Sequence, residues 1–222
     1  MDWTTFFIFL HILLMAFWLG ADMGTYYAAI LILNRDYTPP QRAVLARILQ
    51  GVDIFPRLAM TLMVPTGMTI AHNNGWAPIG MPWLVLIWVV GIAWGWMVWN
   101  VHRPTAPAWG KKLQRVEDIW NYVLLAVVVL ALIVSFSAGD LFPENWLRLK
   151  VALYGLTIVI LIVVNFMFKP FGPAFGRLLT EGSTPEVEDT IATLINRGKP
   201  WIWSIWAIVV VNTALGLFQP GF

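Results

Sequence analysis

The sequence predicts an all-α fold, a polytopic membrane bundle of six transmembrane helices with short amphipathic helices on the cytoplasmic side. Three observations predict it. Of the 222 residues, 59% are hydrophobic and 12% charged, and the mean hydropathy is +0.72. Apolar runs about 20 residues long, the length that crosses a bilayer core, recur along the chain. Eleven of the fourteen Lys and Arg fall in 34–51, 102–117 and 169–199, three segments that share one side if there are six spans. The whole chain, 1–222, reads as a single integral membrane domain. It contains no cysteine, which excludes disulfides, thiolate metal sites, iron–sulfur clusters and thioether-linked haem.

The first span, residues 3–31, is preceded by no basic n-region or small-residue cleavage site, so it is expected to stay in the membrane. On it His11, Met15, Trp18, Asp22 and Thr25 share one helical stripe among Phe, Ile, Leu and Ala. An imidazole and a carboxylate at that depth need partners in a protein interior, which makes them site candidates. Asn34 to Pro40 stops the run, and residues 41–50 read as an interfacial helix with Arg42 and Arg47 opposite Val44, Leu45 and Ile48.

The second span, residues 52–72, carries Pro56 and Pro65, and Arg57, Thr61, Pro65, Met68 and His72 share one of its faces. The third, residues 82–101, is rich in tryptophan, and Gly91 and Gly95 form a small-xxx-small packing face. The fourth, residues 119–138, is Leu/Val with no distinctive polar residue. The fifth, residues 146–168, presents Lys150, Tyr154, Thr157, Leu161 and Asn165 on one stripe. In the loop 169–199, Ser183-Thr184-Pro185-Glu186 signals a short helix reaching about Arg197. The sixth span, residues 201–218, has Asn212 as its strongly polar interior residue.

The positive-inside rule puts both termini outside and the basic loops in the cytoplasm. His11 and Lys150 then lie about 6–12 Å below the outer interface at 1.5 Å per residue. His72 is on the same side, whereas His102 lies at the cytoplasmic end. Asp22 and Arg57 reach similar depth from opposite directions and are expected to form an ion pair.

Leu10-His11 with Trp18-Leu19-Gly20 resembles the first helix of the HemJ-type protoporphyrinogen oxidases, a group that also includes CopD-type copper-resistance membrane proteins. Arg57-Leu58 with Val64-Pro65-Thr66-Gly67 is similar to their second helix, and Trp146-Leu147-Arg148-Leu149-Lys150-Val151 resembles their Trp-Leu-x-x-Lys segment. The resemblance covers three of the six helices, and two further spans intervene before the Lys. It implies that His11 and Lys150 serve a b-type haem.

A b-type haem needs one or two neutral nitrogen ligands, an apolar slot and polar groups for its propionates. His11 supplies the first ligand, and His72 or deprotonated Lys150 the second. If His72 ligates, Lys150 and Arg148 are left for the propionates; Trp18 and Tyr154 complete the candidate cofactor residues. Three functions are open: a haem b electron-transfer subunit linked to quinol, with quinone as a second ligand; a porphyrinogen oxidase; and a copper-handling protein binding Cu(I) through His11, Met15, Met68 and His72. A structural or assembly subunit is the reading without a cofactor. Expected partners are the lipid bilayer, a periplasmic redox partner or other membrane subunits, and further copies of the chain, with no nucleic acid. The expected location is the bacterial inner membrane, multi-pass.

Overall fold

A computed structural model describes residues 2–103, 105–138 and 141–221. Among these residues seven helices form and no strand: α1 Trp3–Ile32, α2 Pro39–Asn73, α3 Met81–His102, α4 Gly110–Ala138, α5 Asn145–Met167, α6 Phe171–Glu181 and α7 Pro185–Phe218. All but α6 are long and apolar enough to cross a membrane, and the protein is a multi-pass helical bundle.

Local chemistry sets the helix starts. Asp2 caps α1 by accepting from the Thr4 amide. Thr38 and Gln41 form a reciprocal capping box ahead of α2, with Pro39 in the first turn, where its missing N–H removes no bond. Thr184 caps α7, followed by Pro185 and by Glu186 and Glu188 in the first turn, where acids suit the positive end of the helix dipole.

Two boundaries differ from the sequence reading. Residues 41–50 are not a separate interfacial helix but the first turns of the 35-residue α2, because Gly51 alone does not stop a helix. Residues 185–197 likewise run on through Pro200 into the last span as one 34-residue helix. Pro200 removes a single N–H bond, which a long, tertiary-supported helix tolerates. The short separate helix on this side is α6.

The six spans form a ring in chain order, α1-α2-α3-α4-α5-α7, and α7 closes against α1. Every neighbouring pair is antiparallel, and the register can be read from partners. Facing residues total 77 between α1 and α2 (Thr4 with Asn73, His11 with Thr66). They total 156 between α2 and α3 (Pro65 with Gly91, Thr61 with Gly95), and 283 between α4 and α5 (Ser135 with Arg148, Val128 with Gly155). The α2–α3 seam bears out the small-residue packing face. A Cβ on Gly91 would lie 2.5 Å from Pro65 Cγ and 3.0 Å from the Thr61 carbonyl, the carbonyl that the missing Pro65 N–H leaves without its helical donor.

Each span contributes to one central cluster: Trp18, Met60, Trp94, Val128, Ile158 and Val209 come from the six helices in turn. A second cluster lies at the end that carries the basic loops, here called the basic end. There α1 and α2, about 45 and 52 Å long, extend past the roughly 30 Å hydrocarbon thickness. Ile32, Phe175, Leu178, Val187 and Ile191 join α1, α6 and α7 in this cluster. A third cluster closes the opposite end, which carries both termini, around Ala71, Phe142, Trp146 and Leu215.

Arg42, expected on a solvated face, is instead buried in the basic end and paired with Glu188, while Val44 and Ile48 are exposed. The outward face of α4 carries exposed Val127, Leu130 and Ile133, in keeping with its Leu/Val composition.

Candidate functional site

The α1–α2 register brings His11 opposite Thr66 and Gly67. His11 Nδ1 lies 2.8 Å from Thr66 Oγ1, and the Thr66 hydroxyl also lies 2.7 Å from the Leu62 carbonyl one turn back. A hydroxyl carries one hydrogen. Here a carbonyl, which can only accept, takes it, so Thr66 Oγ1 accepts from the His11 ring. In a neutral ring this bond sets the hydrogen on Nδ1 and leaves the lone pair on Nε2. The ring lies against Gly67, where a Cβ would be 3.3 Å from His11 Cε1, so any larger residue at 67 would press on the imidazole.

Lys150 reaches the same level from α5. Its ammonium donates to the Asn212 carbonyl of α7 at 3.0 Å and occupies the space left by Gly216, where a Cβ would fall 2.6 Å from Nζ. His11 and Lys150 are within electrostatic reach of each other. Four residues further along α5, Tyr154 donates from its hydroxyl to the Met60 carbonyl at 3.1 Å, tying α5 to α2 across the ring.

The other sequence candidates lie elsewhere. His72 is five residues beyond Gly67, about 7.5 Å along α2 and roughly 140° around it, so it does not share the face that meets His11. Arg148 is engaged with the 141–144 turn: its Nε donates to the Phe142 carbonyl at 2.6 Å and to Ser135 Oγ at 3.1 Å. Trp18 is part of the central cluster. Met15 packs on that cluster and Met68 on the one near the termini, so the four residues of the copper reading are not gathered together. Among the described residues no three His, Asp or Glu converge to hold a metal ion.

The expected Asp22–Arg57 ion pair is corrected. By the 77 register Asp22 lies opposite position 55, level with Arg57 as its depth implied. Arg57 Nε donates instead to Asp53 Oδ2 on its own helix at 2.6 Å. An i,i+4 partner is already in place when the helix forms, whereas a partner on α1 must also have the right azimuth. Asp22 accepts from the Trp206 indole of α7 at 2.7 Å; Arg57 remains within its electrostatic reach.

Sequence reasoning missed a further pair. His102, at the end of α3, is bound through Nε2 to Glu117 of α4 at 2.8 and 3.0 Å. Glu117 fell outside the expected span, which began at 119. The available signal was its i,i+4 spacing with Asn121, a polar stripe at the entry of an otherwise aliphatic helix.

No family model, curated protein or solved structure matches the chain.

Proposed function

We propose that the protein binds a b-type haem near the end that carries its termini and works as a quinol-linked electron-transfer subunit, with His11 as the iron ligand. The observation that supports this most directly is the His11–Thr66–Leu62 hydrogen-bond chain. It directs the ring proton to Nδ1 and leaves Nε2 as a neutral nitrogen donor, the arrangement that metal-binding histidines ordinarily have. The donor set suits an iron porphyrin: one oriented imidazole, and a lysine on the facing helix at the same level. A bound haem would supply one-electron transfer between ferric and ferrous iron.

Within this reading the chain's own residues have distinct tasks. Thr66 orients the imidazole. Gly67 and Gly216 leave room beside the two nitrogen side chains. Lys150 is either the second ligand, after leaving the Asn212 carbonyl and losing its proton, or a cation for a propionate. Lys150 is preferred over His72 as the second ligand because it shares the level of His11. The HemJ-like oxidase reading uses the same residues and differs in substrate. The copper reading requires Met15 and Met68 to leave separate packing clusters.

The test is the absorption spectrum of protein purified after expression with haem precursor. A Soret band with a sharp reduced α-peak, lost in His11→Ala with membrane insertion intact, supports the proposal. Haem reduction by a quinol without porphyrinogen turnover favours electron transfer over the oxidase. A colourless protein, with or without stoichiometric copper, overturns it.

A further inference from the structure

The six spans fall into two groups of three. α1, α2 and α3 pack on one another in turn, as do α4, α5 and α7, and the seams where the groups meet, α1–α7 and α3–α4, are the thinnest in the ring. A single stretch of chain, between His102 and Gly110 at the basic end, joins the two halves. The connections at the opposite end stay within a half, α2 to α3 in one and α4 to α5 in the other. At the end that carries the termini the halves therefore have no covalent link.

Hydrogen bonds and ion pairs follow the same division. Asp22 ties α1 to α7 through the Trp206 indole, and His102 ties α3 to α4 through Glu117. Each thin seam thus holds one polar tie, and by the registers given above the two lie level with positions 55 and 54 of α2. Further toward the basic end, Arg42 and Arg35 of the first half hold Glu188 and Asp189 of the second. In the other direction one bond crosses, from the Tyr154 hydroxyl to the Met60 carbonyl, about 8 Å beyond the two ties at 1.5 Å per residue. At the level of His11 no hydrogen bond or ion pair crosses among the described residues. His11 is bound to Thr66 and Asn73 to Thr4 within the first half, Lys150 to Asn212 and Arg148 to Ser135 within the second. What meets there is apolar: Ala71 and Ala77 share a cluster with Phe142 and Leu215, and Trp76 lies edge to face with Trp146 at 5.1 Å.

We infer that the bundle opens at the end that carries the termini, by a rocking of α1, α2 and α3 against α4, α5 and α7 about a line through the Asp22–Trp206 and His102–Glu117 bonds, with Tyr154 as the latch. Lipid tails are as apolar as the side chains they replace, so parting an apolar seam in a bilayer forfeits packing but little hydrophobic stabilisation. Breaking a buried polar tie leaves a donor or acceptor unmet in hydrocarbon, which costs far more. The halves therefore stay joined where polar groups bind them and separate where only apolar groups meet. Rigid-body rocking of this kind is how many helical membrane proteins expose an internal site. His11 and Lys150 belong to opposite halves, each already hydrogen-bonded within its own. Opening breaks neither bond and uncovers both side chains to the side of the membrane that carries the termini. The motion does not rest on the haem reading; it gives any ligand of these two residues a way in.

The chain has no cysteine, so introduced pairs report alone. In lipid nanodiscs without ligand, spin labels at Met81→Cys and Leu217→Cys, both exposed positions, span the halves at the end that carries the termini. Labels at Val44→Cys and Leu179→Cys, also exposed, span them at the basic end. Double electron–electron resonance should give two distances for the first pair and one for the second. Tyr154→Phe removes the latch bond and keeps the ring. It should raise the ratio of the longer to the shorter distance in the first pair by about 2–12-fold, the equilibrium effect of losing one neutral hydrogen bond, and leave the second pair unchanged. A single distance for the first pair that Tyr154→Phe does not alter overturns the inference. Equal broadening of both pairs also overturns it, since that describes a bundle loosened throughout and not a hinged one. Haem titration of the same samples keeps the two proposals apart: a protein that opens in this way and binds no haem loses the proposed function and retains the hinge.

Discussion

Arg42 on α2 and Glu188 on α7, 146 positions apart in the chain, form a two-pronged ion pair inside the basic end of the bundle. The guanidinium is 1% exposed. One of its nitrogens donates to Glu188 Oε1 and the other to Oε2 at 3.1 Å, while Ser183 adds a third donor to the carboxylate at 2.6 Å. The pair locks the start of α2 to the start of α7. Removing one partner strands a buried charge, so Arg42→Met or Glu188→Gln should lower stability by about 3–5 kcal/mol. The double variant should lose clearly less than the two singles together. Thermal melts of the detergent-solubilised protein check both.

The same pair sets a pH dependence. The hydrogen bonds from Arg42, followed by those from Ser183, hold the Glu188 carboxyl below its ordinary range. A depressed carboxylate contributes stability that is fully present above its unfolded pKa and is lost as pH falls through the lower folded value. The melting temperature should therefore hold near neutrality and fall once the pH drops below the ordinary carboxylate range. Glu188→Gln should flatten that acid limb, and an unchanged limb would refute the assignment.

In the haem-binding proposal Thr66 acts through His11, whose Nδ1 lies 2.8 Å from its hydroxyl. Thr66→Val removes the acceptor for the Nδ1 hydrogen and should weaken haem affinity by about 10–100-fold, the usual effect of losing such a supporting hydrogen bond. Thr66→Ser, which keeps the hydroxyl, should restore most of it. Haem titration of the apoprotein separates the cases, and equal affinity in all three proteins would remove Thr66 from the account.

The glycines divide by what a methyl group would meet. Gly91→Ala should lower stability by about 1–3 kcal/mol, because Pro65 and the Thr61 carbonyl leave no room and the α2–α3 seam must open. Gly20→Ala meets nothing within 4 Å and should stay within about 1 kcal/mol of the parent. Unfolding in mixed micelles ranks them, and the reverse order would show that the seam is not tightly packed.

Arg57 should couple to Asp53 more strongly than to Asp22. A double-mutant cycle for Asp53→Asn and Arg57→Gln is expected to give an interaction of about 0.5–3 kcal/mol, the range for side chains in contact. The cycle with Asp22→Asn should give less, and Trp206→Phe should reproduce most of the Asp22→Asn loss. A larger Asp22–Arg57 coupling would restore the direct pair.

These comparisons show what a linear pattern carries. The number of spans and the level of each polar residue follow from apolar run length and rise per residue, so His11 with Lys150, and Asp22 with Arg57, are found at the levels anticipated for them. Azimuth is not carried in the same way. Which neighbour faces Asp22 depends on how α7 closes the ring, and Trp206 has no polar signature in a chain with fourteen tryptophans. Helix ends are not carried either at Gly51 and Pro200, where the second cluster makes it favourable to continue α2 and α7 past the bilayer. Glu117 lies in the first turns of α4, which begins at Gly110, nine residues before the span expected from apolar run length.

The bond between Asp22 and Trp206 links positions 184 residues apart, and this separation acts in time as well as in space. At roughly 5–20 residues per second, a ribosome needs on the order of 10–40 s to make the indole after the carboxylate has emerged. Throughout that interval the first helix is in the translocation machinery or the membrane with its acid unsatisfied. Nascent chains arrested before Trp206 should therefore stay close to the insertase, and release into lipid should coincide with synthesis of the last span.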